Sequence, residues 1–301
     1  MIELLNQAFF VQHPALLFVA LGLSCIAYTP WARLLNLARR YQLTTYFTLT
    51  LGLTWAAFIP YYNSYHAGED GIPWFTFGPT VAGFVMAGVT GGFMAVKSIA
   101  ASVVRWKVHP IWYAAAIGVP FGAQFVSALL NPLFGSAAPV WGNIPPIMEI
   151  LPMILIFAIF SGPLGEEIGW RGFALPRLLE TRSATSASLI LGSVWAIWHL
   201  PLVLVGDFTT YGAFMPIIAA FAFTWVSQNA RGSVLLAILM HVSHQNSVRF
   251  LGKVFTEGDH VQQQWLGAGI WLIMIAAILL VHGTKNFMRQ AETRVELAMQ
   301  A

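Results

Sequence analysis

The sequence predicts an all-α, polytopic integral membrane bundle of eight or nine transmembrane helices, and three observations predict it. Of 301 residues, 57% are hydrophobic and 9% charged, with a mean hydropathy of +0.69. A soluble domain carries roughly a quarter charged residues, so water cannot solvate a fold built from this chain. The apolar residues are also gathered into runs long enough, at 1.5 Å per helical residue, to cross a hydrocarbon core of about 30 Å. Finally, the 15 Lys and Arg residues lie in the short connections between runs and not in one patch, which is the pattern of a topology signal and excludes a nucleic-acid surface. No polar stretch is long enough for a separate soluble domain, so residues 1–301 read as a single membrane domain.

The runs are Ala15–Tyr28, Thr44–Tyr61, Phe75–Val96, Pro110–Leu130, Pro146–Gly162, Ser186–Val205, Tyr211–Gln228, Ser233–Phe250 and Trp265–His282. The first is short and the fifth runs into charged residues, which is why the count is eight or nine. Met1 to Gln12 contains Glu3 and neither Lys nor Arg, so it lacks the basic region of a cleavable signal and the first run is expected to be retained. The single cysteine, Cys25, allows no intramolecular disulfide. Gly78-Pro79 and Pro120 mark kinks or close helix contacts. Trp74, Trp106, Trp112 and Trp265 fall near run ends, as an interfacial belt requires.

Orientation follows from the connections, because Lys and Arg collect on the cytoplasmic side. With nine spans and the N-terminus outside, 13 of the 15 basic residues fall on the inner side, among them Arg33, Arg39, Arg40, Lys97, Arg105, Arg182, Arg231, Lys285, Arg289 and Arg294. Only Arg249 and Lys253 remain outside, accompanied by Glu69, Asp70, Glu257 and Asp259. The expected setting is the cell (inner) membrane, with the N-terminus outside, the C-terminus cytoplasmic, and a prokaryotic source.

An ionisable side chain at the centre of a membrane helix costs about 2.5–3.5 kcal/mol, so each one retained there is a candidate functional group. Three clusters qualify. In Gly162-Pro-Leu-Gly-Glu166-Glu167-Ile-Gly-Trp-Arg171, Glu167 and Arg171 are four residues apart, share a helix face and can pair. Glu166 points about 100° away without a local partner, which suits a proton acceptor. The second cluster is His199 in Val194-Trp-Ala-Ile-Trp-His. The third is Leu239-Met-His241-Val-Ser-His244-Gln245-Asn246, with His244 as a supporting neighbour. Two imidazoles and a carboxylate from three helices can polarise a water, and the same types form a zinc set. If a metal is used, Glu166, His199 and His241 are its candidate ligands; a metal-free glutamate mechanism fits these residues equally. HExxH is absent, so the usual soluble zinc-protease helix is not the template.

These residues resemble the CPBP (CAAX protease and bacteriocin-processing) family of intramembrane proteases, which includes the CAAX prenyl endopeptidases and whose pattern is EExxxR, FxxxH and HxxxN on successive core helices. Glu166-Glu167-xxx-Arg171 matches the first motif in full. His199 matches the second with Trp195 at the Phe position, and His241 matches the third with Gln245 at the Asn position and Asn246 one residue late. The resemblance spans about Pro146 to Phe250, a catalytic core of about 146–250. It implies that Glu166 with His199 activates the attacking water, that Glu167 with Arg171 orders the site, and that His241 with Gln245 stabilises the oxyanion. The implied activity is endopeptidase hydrolysis in a lipidated or membrane-associated peptide or protein, prenylated substrates included, near the cytoplasmic face. The lipid bilayer is the other partner.

Taken singly, the charges at 166–171 also fit an interfacial cluster where a span leaves the membrane, and His199 or His241 a hydrogen-bonded packing residue. Their order and spacing together favour the site. Two other classes use the same groups. A proton-coupled transporter also keeps Glu, His and Arg inside its helices, although no inverted repeat is visible here. A non-catalytic membrane scaffold of the same family would tolerate Trp195 and Gln245.

Overall fold

The computed structural model describes residues 31–66, 73–160 and 162–288, and every regular element among them is helical. The expected span Ala15–Tyr28, with Cys25, lies outside the described residues, as do Glu69, Asp70, Arg289 and Arg294. By its contacts the chain divides into two units, Met1–Gln42 and Leu43–Ala301. In the first, α1 (Trp31–Arg40) is an amphipathic helix where the sequence reading saw only a basic connection. Trp31, Leu34, Leu35 and Ala38 fall on one side at helical spacing, and Arg33, Asn36 and Arg40 on the other, the arrangement of a helix lying along an apolar surface.

The second unit is built from α2 (Gln42–His66), α3 (Gly78–Val103), α4 (Pro110–Leu130), α5 (Ile147–Phe160), α6 (Pro163–Gly169), α7 (Leu175–Leu179), α8 (Ala184–Trp198), α9 (Leu200–Leu204), α10 (Thr210–Asn229), α11 (Val234–Gly252) and α12 (Glu257–His282). Among its described residues, four segments are long and apolar enough to cross a membrane: Trp74–Val103, Pro110–Phe134, Thr210–Asn229 and Glu257–His282. A fifth is the pair Ile147–Phe160 and Pro163–Leu179, bent by 41°. Three other expected spans fall short, each for a physical reason: α2, which covers Thr44–Tyr61, has its hydropathy lowered by Thr44, Thr45, Thr48, Thr50 and Thr54. α11 carries His241, His244, Gln245, Asn246 and Arg249, which lower its hydropathy, and α8 is 15 residues long and stops at His199 before Pro201.

The helices that bear the candidate residues begin sharply. Ser183, Thr209 and Ser233 are N-caps of α8, α10 and α11, their hydroxyls accepting from Ser186 N (3.2 Å), Gly212 N (3.2 Å) and Leu236 N (3.4 Å). This unit has two distinct ends. At one, the basic connections meet: Ala184 N donates to Lys285 O (2.6 Å), Asn229 Nδ2 to Phe287 O (2.9 Å), Ser233 Oγ to Arg105 O (2.7 Å), and the Arg105 guanidinium to Arg231 O. At the other, Val140 N donates to Val254 O (2.9 Å) and Asn131 Nδ2 to Asp259 O (2.8 Å).

Candidate active site

The carboxylate pair is set by a break in the fifth expected span. Gly162, at φ 120°, turns the chain between α5 and α6, a conformation open to glycine and strained for other residues. α6 then runs tight against the start of α3. A Cβ on Gly165 would lie 2.7 Å from the Thr76 carbonyl oxygen, so only glycine allows this approach. Trp170–Ala174 forms one π-helical turn and holds Arg171, the kind of local irregularity that recurs at functional sites. Glu166, Glu167 and Arg171 are all buried.

Glu167 is the hub. Arg171 Nη1 donates to its Oε1 at 3.0 Å and lies 2.8 Å from Oε2, as the four-residue spacing predicts. From α11, His241 Nδ1 meets the same Oε1 at 2.8 Å, a contact across 74 residues that the sequence reading did not assign. Beyond it, Gln245 Nε2 lies 3.2 Å from His241 Nε2. Arg171, Glu167, His241 and Gln245 therefore form one hydrogen-bonded chain. The Arg171 guanidinium also sits 4.5 Å from the ring centroid of Trp195 and 4.3 Å from that of Phe223, so aromatic faces replace part of the solvation it lost.

Glu166 has a partner that local reasoning could not supply: Trp195 Nε1, on α8, donates to its Oε2 at 2.6 Å. Its other oxygen lies against Gly162, beside the Gln245 amide. His199 is buried and lines the large cavity described below; its Nδ1 is 2.9 Å from Trp195 O and its ring stacks on Phe208 at 4.6 Å between centroids. A carbonyl only accepts, so Nδ1 carries the hydrogen and Nε2 of the neutral ring keeps its lone pair. Glu166 and His199 thus both touch Trp195, the one through its indole N–H and the other through its backbone carbonyl. The signal that could have pointed to Trp195 is chemical, since a buried indole N–H needs an acceptor.

The groups stand at one side of a cavity of about 610 Å³, lined by His199, His241 and Gln245 at its inner part and by Asp207, Arg249 and His260 toward the bundle end away from the basic connections. A second cavity, of about 390 Å³, reaches Arg171 from the basic end, past Ser227 and Glu180. The Nε and Nη2 atoms of Arg171 and the Ser227 hydroxyl, all buried, make no hydrogen bond to protein. As for a metal, His199 and His241 each bond Nδ1 to a protein acceptor, which leaves only Nε2 for a ligand, and Nε2 of His241 meets the Gln245 amide. No group of three His, Cys, Asp or Glu residues able to hold an ion is present among the described residues, so Glu166, His199 and His241 are not assembled as a ligand set.

Fold and site together define a polytopic helical membrane protein with a buried glutamate–histidine centre. Residues 148–246 match the family model of the type II CAAX prenyl endopeptidase, Rce1-like. Among curated proteins, CAAX prenyl protease 2 of Methanococcus maripaludis is 27% identical over 152 residues, which are 46% of this chain and 52% of that protein. The match thus spans about half the length of the curated relative. The matched region of this chain holds Glu166, Glu167, Arg171, His199, His241 and Gln245 and is similar to the Rce1-like family.

Proposed function

We propose that this chain is an intramembrane endopeptidase that hydrolyses a peptide bond in a lipidated or membrane-associated substrate, within a single membrane domain of eight or nine spans whose catalytic core is about 146–250. The observation that carries the reading is the meeting of Glu166, Glu167, Arg171, His241 and Gln245, from two separate helices, beside a cavity that also holds His199. In the proposed reaction, a water between Glu166 and His199 Nε2 attacks the scissile carbonyl carbon while Glu166 takes its proton. The Gln245 amide has two hydrogens. One faces His241 Nε2, and in the substrate complex the amide donates to the oxyanion with the other. Glu167 and Arg171 fix the His241 ring, as a carboxylate orients a catalytic imidazole elsewhere. Collapse of the intermediate breaks the C–N bond, and the proton held by Glu166 passes to the leaving amine.

Trp195→Phe tests the frame around the base. The indole bond to Glu166 is charge-assisted and contributes about 1.5–3 kcal/mol. The variant should melt at a lower temperature yet cleave within about tenfold of the parent, since a ring of similar bulk remains. Loss of all cleavage in a folded Trp195→Phe protein would instead give the indole N–H a part in the chemistry.

Orientation and substrate approach are linked. The cavity rim lies at the end away from Arg105, Arg182, Arg231 and Lys285. With those connections cytoplasmic, the cavity is entered from outside, so an N-outside, C-cytoplasmic chain in the inner membrane and a cleavage site near the cytoplasmic face do not hold together. We retain the orientation, on the 13-to-2 partition of basic residues, and place the entrance on the outer face. In a Cys25→Ala background, Ala138→Cys should react with an impermeant thiol reagent from outside and Thr181→Cys only after the membrane is opened. The reverse pattern would turn the cavity to the cytoplasm and rescue the original approach.

One observation favours a second reading, a proton-coupled carrier. The chain His241–Glu167–Arg171 lies between cavities that reach it from opposite ends. Against it, every site residue comes from α6 to α11, and the sequence shows no inverted repeat. Proteoliposomes carrying the purified protein decide between the two: substrate cleavage without proton flux supports the protease, and substrate-coupled flux without cleavage supports the carrier.

A further inference from the structure

The second cavity, of about 390 Å³, takes no part in the chemistry proposed above, yet two of its lining residues carry buried polar atoms that lack a partner. Arg171 is 3% exposed and Ser227 is 6% exposed. The Nε and Nη2 atoms of Arg171 and the hydroxyl of Ser227 make no hydrogen bond to the described residues. Buried polar groups are expected to be satisfied, so orphans beside a cavity point to what enters it. Nη1 of the same guanidinium is spent on Glu167, which leaves Nε–H and Nη2–H, the two parallel donors along one edge of the fork. Such an edge matches two oxygens of a single oxyanion. All three orphans donate, so the complementary group is rich in acceptors.

The surroundings select its charge. Gly232 lines the cavity, and a Cβ on it would lie 3.5 Å from Arg105 Nη1, so a second guanidinium stands beside the space. A further cavity, of about 400 Å³, adjoins this one, because Leu179, Glu180 and Gln228 line both, and it carries Arg182 and Lys285. The cleft therefore leads from a basic rim to Arg171. Its acidic lining residue, Glu180, interacts electrostatically with Arg177, and Glu167, further in, is already engaged by Arg171 and His241. Basic pockets between helices at the charged face of a membrane protein suit phosphate headgroups.

We propose that this cleft, between α7 and α10, binds a phosphate group. Two of its oxygens lie on the Nε–Nη2 edge of Arg171 and a third accepts from Ser227, while Arg105, Arg182 and Lys285 face the remaining charge. The phosphate belongs to an anionic lipid headgroup or is a free ion. Phosphate and the Glu167 carboxylate then share one guanidinium through different nitrogens. The site goes beyond the endopeptidase reading and does not depend on it.

The test uses the full chain, purified and delipidated in a maltoside detergent, which carries no phosphate of its own. Inorganic phosphate is titrated against sodium chloride of matched ionic strength and the melting temperature followed, since a ligand of the folded state raises it by mass action. A short-chain phosphatidylglycerol is titrated in the same way, and native mass spectrometry counts the lipid retained. Saturable stabilisation by both ligands means that the phosphate itself is read. A response to the lipid alone makes this a headgroup site, and a response to inorganic phosphate alone makes it a site for a free oxyanion; each supports the proposal. A hydrogen bond or ion pair to a charged group is worth roughly tenfold in Kd. Ser227→Ala and Lys285→Gln should each weaken binding by about that factor. Ser227→Thr, which keeps the hydroxyl, should stay close to the parent, as should Lys253→Gln at the opposite end. Absence of a saturable response to either ligand, or a response that Ser227→Ala and Lys285→Gln leave unchanged, would overturn the site and leave the three donors to water. No peptide is cleaved in these measurements, so neither result bears on the protease reading.

Discussion

Glu166→Gln is expected to lose turnover by a factor on the order of 10²–10⁴ while keeping its fold and its substrate affinity. The amide preserves size and polarity and can still accept from Trp195 Nε1 through its carbonyl oxygen, so the α6–α8 contact survives. What it cannot do is take a proton from water. The measurement is kcat and KM for the purified variant beside its melting temperature. A variant that cleaves as fast as the parent removes Glu166 from the role of base, even with the family assignment intact. A variant that is inactive because it no longer folds would show in the melting curve. An inactive parent, by contrast, would move the chain toward the non-catalytic scaffold.

Arg171→Ala is expected to lower stability by about 3–5 kcal/mol, because it leaves a buried carboxylate without its cation. Glu167 is fully buried and Arg171 nearly so, so solvent screening does little to offset the loss. The change also strips the Trp195 and Phe223 faces of the guanidinium that packs on both. His241 remains against Glu167 at 2.8 Å but does not replace the two guanidinium contacts. The variant should therefore melt far below the parent and accumulate poorly, with activity reduced in whatever fraction folds. The double change Glu167→Gln with Arg171→Met, which removes both charges at similar volume, should recover much of the stability and none of the lost ordering of His241. If Arg171→Ala melts with the parent, the pair is not the structural centre described above.

How much of this was legible in the chain depends on the distance over which each feature is encoded. α4 runs over the predicted Pro110–Leu130, and α10 and α11 fall within two residues of their predicted bounds at each end, because apolar runs of that length are local signals. The Glu167–Arg171 pair is legible for the same reason, being fixed by helical geometry within a single turn. α1 was missed because its ten residues are too few and too basic to read as a span. The bend at Gly162 was missed because a glycine at a run's end does not announce whether the chain stops or turns and goes on. The span count stayed ambiguous through the site itself, since the polar residues that α11 keeps for it are those that make α11 look less like a membrane helix.

By itself, the sequence determined that this protein is a helical membrane bundle, which polar residues its apolar runs retain, and which family their order resembles, since burial cost and helical period act on neighbours along the chain. Only the tertiary structure decided that His241 shares Glu167 with Arg171, that Trp195 rather than His199 holds Glu166 directly, and that the cavity opens at the end away from the basic connections with Arg249 on its wall. Those contacts join residues tens of positions apart, and their partners are selected by how α6, α8 and α11 pack against one another, a choice that no local periodicity encodes.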